Sequence, residues 1–147
     1  MKWTYNGQVF TEDMIDKHVG FVYLITNETT GMKYVGKKLF TKSKITQKNK
    51  KKKRSRVSSD WETYTGSNEL LNESIDLGAR ITKEILHLCE TRGWLTYLET
   101  KEILVRDAIL SNSYYNMWFT ARVHRRHLEK KATKNGRKKD SKTQIST

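Results

Sequence analysis

One stretch narrows the folds open to this chain more than any other: Gly20-Phe-Val-Tyr-Leu-Ile-Thr-Asn27, then Glu28-Thr-Thr-Gly31, then Met32-Lys-Tyr-Val-Gly-Lys-Lys38. Phe21 to Ile25 are aromatic, β-branched or apolar, the side chains that suit a pleated strand. Asn27 to Gly31 carries turn chemistry, and Gly31 can take a positive φ. Lys33 to Leu39 returns as a second strand, so the stretch reads as a β-hairpin. Alternation puts Tyr23 and Ile25 on one face, and Tyr34 and Gly36 on one face of the partner strand. Two tyrosines on one side, with a glycine that lets something come close, mark a candidate site.

The length of 147 residues suits one domain with tails. Lys and Arg total 29 against 16 Asp and Glu, a formal net charge of +13. A surplus of that size implies a polyanionic partner, nucleic acid before anything else. A membrane surface fits less well, because the basic runs lack a long amphipathic apolar face. No stretch is apolar enough to span a bilayer or act as a signal peptide, so a cytoplasmic location is expected. The single cysteine, Cys89, excludes an internal disulfide framework and a multi-cysteine zinc site. It falls in an apolar run, as a buried structural thiol would.

Residues 1–18 read as an N-terminal arm packed on the domain edge, with Thr11 able to cap a short helix. Residues 19–128 read as the folded domain, with a basic loop over 41–59. Residues 42 to 56 hold nine Lys or Arg and no acid. Such a block repels itself and is expected to be a mobile loop until it meets phosphate, then a clamp that adds affinity without reading sequence. Ser67 or Asn68 caps a helix whose inward face is Leu70, Leu71, Ser74 and Leu77, and Gly78 ends it. Arg80 to Cys89 is a third strand. Glu90 to Gly93 is a turn, and a helix runs from Trp94 to about Ser111 with Leu95, Leu98, Val105 and Ile109 at helical spacing. Glu102 lies on that stripe and Glu99 beside it. A carboxylate there is costly unless it is ion-paired, to Lys101 or Arg106 for example, or holds a ligand. Arg122 to His127 reads as a last helix, where His124 and His127 share a face. No third ligand accompanies them, so phosphate contacts are favoured over zinc. Residues 129–147 read as a disordered basic tail that anchors nucleic acid.

Phe21-Val-Tyr23 followed by Tyr34-Val-Gly36 resembles the paired signature of the GIY-YIG nuclease family. Phe-Val-Tyr stands where the family has Gly-Ile-Tyr, with Gly20 one place early. Tyr64-Thr-Gly-Ser67 resembles an element that a phage-encoded branch carries before its first main helix. Glu99-Thr-Lys-Glu-Ile103 resembles the family's metal-binding glutamate followed four residues later by an apolar one, with Glu102 as the rival. Tyr115-Asn116 resembles the pair that follows that helix. The resemblance covers roughly Val19 to Asn116. It implies an α/β (α+β) domain, a small three-stranded antiparallel sheet flanked by helices, with metal-dependent endonuclease activity on DNA.

Under that resemblance Tyr23 or Tyr34 is the general base, and Glu99 holds one Mg²⁺ or Mn²⁺. A phenol has an unperturbed pKa of about 10. Lys33, Lys37, Lys38 and a metal would favour its phenolate. The departure is the arginine that many members carry about eight residues after the second motif, for which this chain has Lys44. Arg54 or Arg56 from the basic loop, or Lys37 or Lys38, would have to supply that charge, and lysine lacks the bidentate fork. Lys37 and Arg56 therefore join Tyr23, Tyr34 and Glu99 as expected catalytic residues. Expected nucleic-acid contacts are Gly36, Lys38, Tyr64, Ser67 and Asn116 near the site, Lys51, Lys52, Lys53 and Arg54 on the loop, and Arg122, His124, Arg125 and Arg126 on the last helix.

Double-stranded DNA is the favoured partner, the chain acting as a monomer or weak dimer, in the host cytoplasm if a phage encodes it. Two other readings stay open. One is a nucleic-acid-binding protein on the same scaffold without catalysis. The other is a basic RNA-binding protein of unrelated α+β fold.

Overall fold

The alternating stretch pairs as expected in the computed structural model, which describes residues 1–129. In chain order the elements are β1 (Trp3–Tyr5), β2 (Gln8–Val9), a 3-10 turn (Glu12–Met14), β3 (Gly20–Asn27), β4 (Lys33–Leu39), β5 (Thr41–Lys48), β6 (Lys51–Ser58), α1 (Glu69–Asp76), β7 (Ile81–Cys89), α2 (Arg92–Val105) and a 3-10 turn (Arg125–His127). β3 and β4 are antiparallel, with Tyr23 opposite Gly36 and Ile25 opposite Tyr34. Asn27 holds the turn between them. Its side-chain oxygen accepts from the N–H groups of Thr29 and Thr30 at 3.0 and 3.2 Å, and Gly31 takes φ +80°. The basic tail expected from residue 129 lies, from 130 onward, outside the described residues.

The main sheet has five strands in the order β2-β1-β7-β3-β4, not three. The two extra strands come from the N-terminal arm. β1 runs parallel to β7 and β2 folds back on β1. Trp3 is the reason the arm is held: its ring is 1% exposed, and its indole N–H donates to the carbonyl of Trp61 at 2.7 Å. The short helix expected after Thr11 is a single 3-10 turn, and the Thr11 hydroxyl bonds Asp13 rather than capping backbone N–H groups.

Alternation along β3 sorts the core into two layers. Phe21, Tyr23 and Ile25 join Trp3, Phe10, Phe40 and Trp61 on one side of the sheet. Val22 and Leu24 join Val35, Cys89, Leu95, Leu98 and Ile103 on the other, under α2. Cys89 is 2% exposed, and burial pushes its thiol up to about 12. The partner of β3 steps from His87 at Val22 to Ile85 at Tyr23, a bulge at Leu86. It turns Leu86 and His87 to the same side: Leu86 packs in the α2 layer, and His87 Nε2 lies 2.8 Å from Glu102.

Four local expectations are corrected. Thr41 to Ser58 is a β-hairpin and not a loop. Asn49 and Lys50 both take positive φ, 53 and 62°, as a two-residue type I′ turn requires, and Asn favours that turn. Every residue of β5 is exposed. Helix α1 turns a different face inward: Leu71 is buried, whereas Leu70 and Leu77 are 61 and 83% exposed. Its Asn68 cap fixes a phase in which Leu71 and Ile75, four apart, face inward, and Gly78 ends it at φ +98°. Helix α2 starts earlier, because Thr91 caps Trp94 N–H at 3.1 Å, and stops at Val105 with Asp107 at φ 50°. Val105 is therefore exposed, and Ile103 takes the buried place. The last helix expected over 122–127 is a 3-10 turn closed by its own histidines: His124 Nδ1 accepts from Arg126 N–H and His127 Nδ1 from His124 N–H.

Candidate active site

The tyrosine face of β3 and β4 opens, at the end nearest α2, into a pocket of about 370 Å³. Tyr23, Tyr34, Gly36, Lys37, Tyr64 and Glu99 line it. β3 and β4 place the two tyrosines by register, and their ring centroids are 6.2 Å apart. Gly36 is a matter of space. A β-carbon there would meet Tyr23 Cζ at 2.5 Å and its hydroxyl oxygen closer still. Gly66, at φ +83°, likewise lets the loop before α1 lie against the Tyr34 ring. That loop is pinned from beneath by Lys83, 2% exposed, which donates to the carbonyls of Glu62 and Tyr64 at 3.1 and 2.8 Å. Burial lowers the Lys83 ammonium to about 8. Lys83 was not expected in any role; its place in an alternating strand pattern, at a core position, is the signal that would have found it.

Glu99 comes from the middle of α2, one position past the buried Leu98. Its side chain is 17% exposed, and its nearest cation is Lys37 Nζ at 3.8 Å. Burial raises its pKa above the usual carboxylate range and Lys37 only partly offsets that. Glu102 is placed differently. It accepts from Arg106 at 2.9 Å and meets His87 at 2.8 Å. Partial burial works against its charge, but these partners hold its pKa below the usual range. Glu102 is thus satisfied within the fold, whereas Glu99 faces the pocket with one loosely held partner.

The sign follows for stability. A carboxyl depressed in the folded state contributes its full stabilisation above its unfolded pKa, and loses it as pH falls through the folded value. Glu102→Gln is therefore expected to cost about 2 kcal/mol at neutral pH, with the difference from wild type closing on acidification. Urea unfolding of both chains from neutral to acid pH measures it.

Burial raises both tyrosines, the reverse of the lowering expected from nearby lysines. Tyr23, 1% exposed, is raised well above its ordinary value, first by desolvation and then by Tyr64 and Tyr34. Tyr34 is raised less: burial is again the main cause, but the hydrogen bond with Ser67 Oγ, 3.2 Å away, lowers it. The lysines are engaged elsewhere. Lys38 sits 2.7 Å from Asp60 and 4.0 Å from the centre of the Tyr64 ring. Lys37 donates to Thr96 at 3.0 Å besides meeting Glu99.

Lys37 is the cation among the described residues lining this pocket. Arg56 does not reach it. Its guanidinium bonds Thr41 and Ser43 within the hairpin, and it lines a neighbouring groove with Lys37, Lys38 and Arg92. Lys51, Lys52, Lys53 and Arg54 are exposed on β6. Arg122, His124, Arg125 and Arg126 are exposed after α2. Asn116 is 5% exposed and commits its amide to Val35, accepting from its N–H at 3.0 Å and donating to its carbonyl at 2.9 Å. It extends the pairing along the outer edge of β4 that the Lys33–Tyr114 bridge begins, so it supports the site by holding β4. Asn68, expected only as a helix cap, also ties α1 to the Tyr115 carbonyl at 3.2 Å, and missed by sequence reasoning is the wall made by Met117, Trp118 and Phe119. Three large apolar residues in a row, directly after the Tyr-Asn pair, were its signal.

Among the described residues no cluster of three or more His, Cys, Asp or Glu could cage a metal. A hard divalent ion such as Mg²⁺ is commonly held by one or two carboxylates, its remaining positions taken by water and substrate phosphate. A half-buried carboxylate short of positive charge fits that donor set, so Glu99 suits such an ion. Among the described residues, no helix is long and apolar enough to cross a membrane.

A family model described as "Putative endonuclease segE, GIY-YIG domain" matches residues 3–119. No curated protein and no solved structure matches the chain.

Proposed function

The chain belongs to the GIY-YIG nuclease family, and on that premise we propose that it is a divalent-metal-dependent endonuclease that hydrolyses phosphodiester bonds in DNA. The observation that carries this is the convergence of Tyr23, Tyr34, Lys37 and Glu99 on one pocket from three separate elements. Hydrolysis needs a deprotonated water, stabilisation of charge around phosphorus, and neutralisation of the leaving 3′ oxygen. Mg²⁺ or Mn²⁺ on Glu99 would supply Lewis-acid stabilisation of that charge. Tyr34 is the better placed proton acceptor, acting as the phenolate that a cation beside it would favour over the neutral phenol. It is half-buried where Tyr23 is fully buried, and Ser67 hydrogen-bonds its phenol oxygen. Tyr23 fixes the Tyr34 ring from behind and fills the space above Gly36. Lys37 moves from Glu99 to a phosphate oxygen when substrate enters, the role that the absent arginine leaves open. Exposed cations of β5 and β6 grip the backbone on either side, without sequence readout.

The test is supercoiled plasmid with Mg²⁺ or Mn²⁺, beside EDTA and a Glu99→Ala control. Nicked product that vanishes with EDTA and with the variant is expected, since one pocket cuts one strand. A gel shift without cleavage in either metal would instead favour the binding-only scaffold. That second reading has its own observation: Arg56 is bound within the hairpin and outside the pocket.

A further inference from the structure

Met117, Trp118 and Phe119 are 76, 73 and 40% exposed, yet they stand on a fixed root. Tyr115 N–H donates to the Lys33 carbonyl at 2.7 Å, and Asn27 donates to the Tyr115 hydroxyl at 3.1 Å. Asn116 is bound on both amide groups. The chain therefore leaves the β4 edge at a set point, and residues 117–120 form a wall of the pocket that Tyr34 and Glu99 line. The rest of the lining is mostly polar, with three phenols, a lysine and a carboxylate beside the buried Val35 and Ile103. Arg122, Arg125 and Arg126 follow, all exposed. An exposed aromatic side chain on a pocket that holds a lysine, with basic residues next in the chain, can stack a nucleobase while phosphates are held alongside. A second copy of this chain is a poor occupant. The apolar run is far smaller than a stable interface, and a net charge of +13 repels another copy.

We infer that Trp118, on the same pocket wall as Phe119, is a stacking platform for an unpaired nucleobase next to the phosphodiester in the Tyr34–Glu99 pocket. The inference rests on reading that pocket as a phosphodiester site. A paired base inside a duplex has both faces covered by its neighbours, so Trp118 takes a base from single strand or from locally opened duplex. The substrate class is then DNA with an unpaired nucleotide at or beside the cut.

Binding measured on the full chain in EDTA separates this from cleavage. Trp3 and Trp61 are 1 and 2% exposed, so tryptophan emission quenched by DNA reports largely on the exposed rings. The probes are a short single-stranded oligonucleotide, the same strand with abasic sites, and a blunt duplex. Trp118→Ala is expected to abolish most of the quenching and weaken single-strand binding about 10-fold. It should leave abasic binding and melting temperature unchanged, and Trp118→Phe should retain most of the affinity. Unaltered single-strand affinity in Trp118→Ala overturns the platform. So does an equal loss on abasic or blunt-duplex DNA, or sedimentation showing that the variant merely dissolves a dimer. A chain that shows the expected binding but cuts no DNA with metal would sink the nuclease reading and leave the platform standing.

Discussion

Glu99→Gln is expected to lower DNA cleavage about 10³-fold while leaving the fold and DNA binding in place. The size follows from the several kcal/mol that a metal contributes to transition-state charge stabilisation, at 1.36 kcal/mol per decade of rate. The selectivity follows from how the side chain is held. Glu99 meets Lys37 at 3.8 Å, too long for a strong hydrogen bond, and its burial disfavours the charge. Replacing it by a neutral isostere removes a desolvation cost and breaks little. Melting temperature should stay level or rise, and gel-shift affinity should hold or tighten because one repelled anion is gone. Glu102→Gln should give the opposite pattern, lowered stability with cleavage retained. Should Glu102→Gln abolish cleavage and Glu99→Gln spare it, the metal assignment moves to Glu102. Because the Glu99 pKa is raised, its carboxylate is complete only above the ordinary range, so metal-dependent cleavage should keep rising with pH after a normal carboxyl would have titrated.

Gly36→Ala should be strongly destabilising. Its β-carbon would stand 2.5 Å from Tyr23 Cζ and nearer still to the hydroxyl oxygen. Tyr23 has no room to retreat, being packed against Trp3 at 5.1 Å and Tyr64 at 6.1 Å between ring centroids. Overpacking of a close-packed core typically costs 1–3 kcal/mol, and a contact this short places the cost near the top, about 3 kcal/mol. That is a large share of the roughly 5–15 kcal/mol that holds a domain together. Urea midpoints measure it. Tyr23→Phe removes the closest atom, so the double variant should be less destabilised than the two single losses summed. Simple additivity would mean that the ring is not the obstacle.

Much of this protein was legible without a structure. The β3–β4 hairpin, the faces that carry its two tyrosines, the third long strand and the glutamate-bearing helix all follow from local rules: period two, turn residues and helical spacing. Those rules act between near neighbours, so a sequence displays them. Membership of the nuclease family was readable for the same reason, since its motifs sit on that hairpin and that helix.

Other features were settled only by contacts between distant parts of the chain. The N-terminal arm becomes two strands because Trp3 is buried against Trp61, 58 residues away, and no local pattern announces that. Glu99 and Glu102 are near-equals on a helical wheel. The bulge at Leu86 turns His87 onto Glu102 and leaves Glu99 facing the tyrosines. Both phenols are raised because the fold surrounds them and sends Lys37 to Glu99 and Thr96 and Lys38 to Asp60. Charge and motif order are properties of the chain. Desolvation and the pairing of charges are properties of the packed molecule, and they decide which of two similar residues is free to meet a ligand.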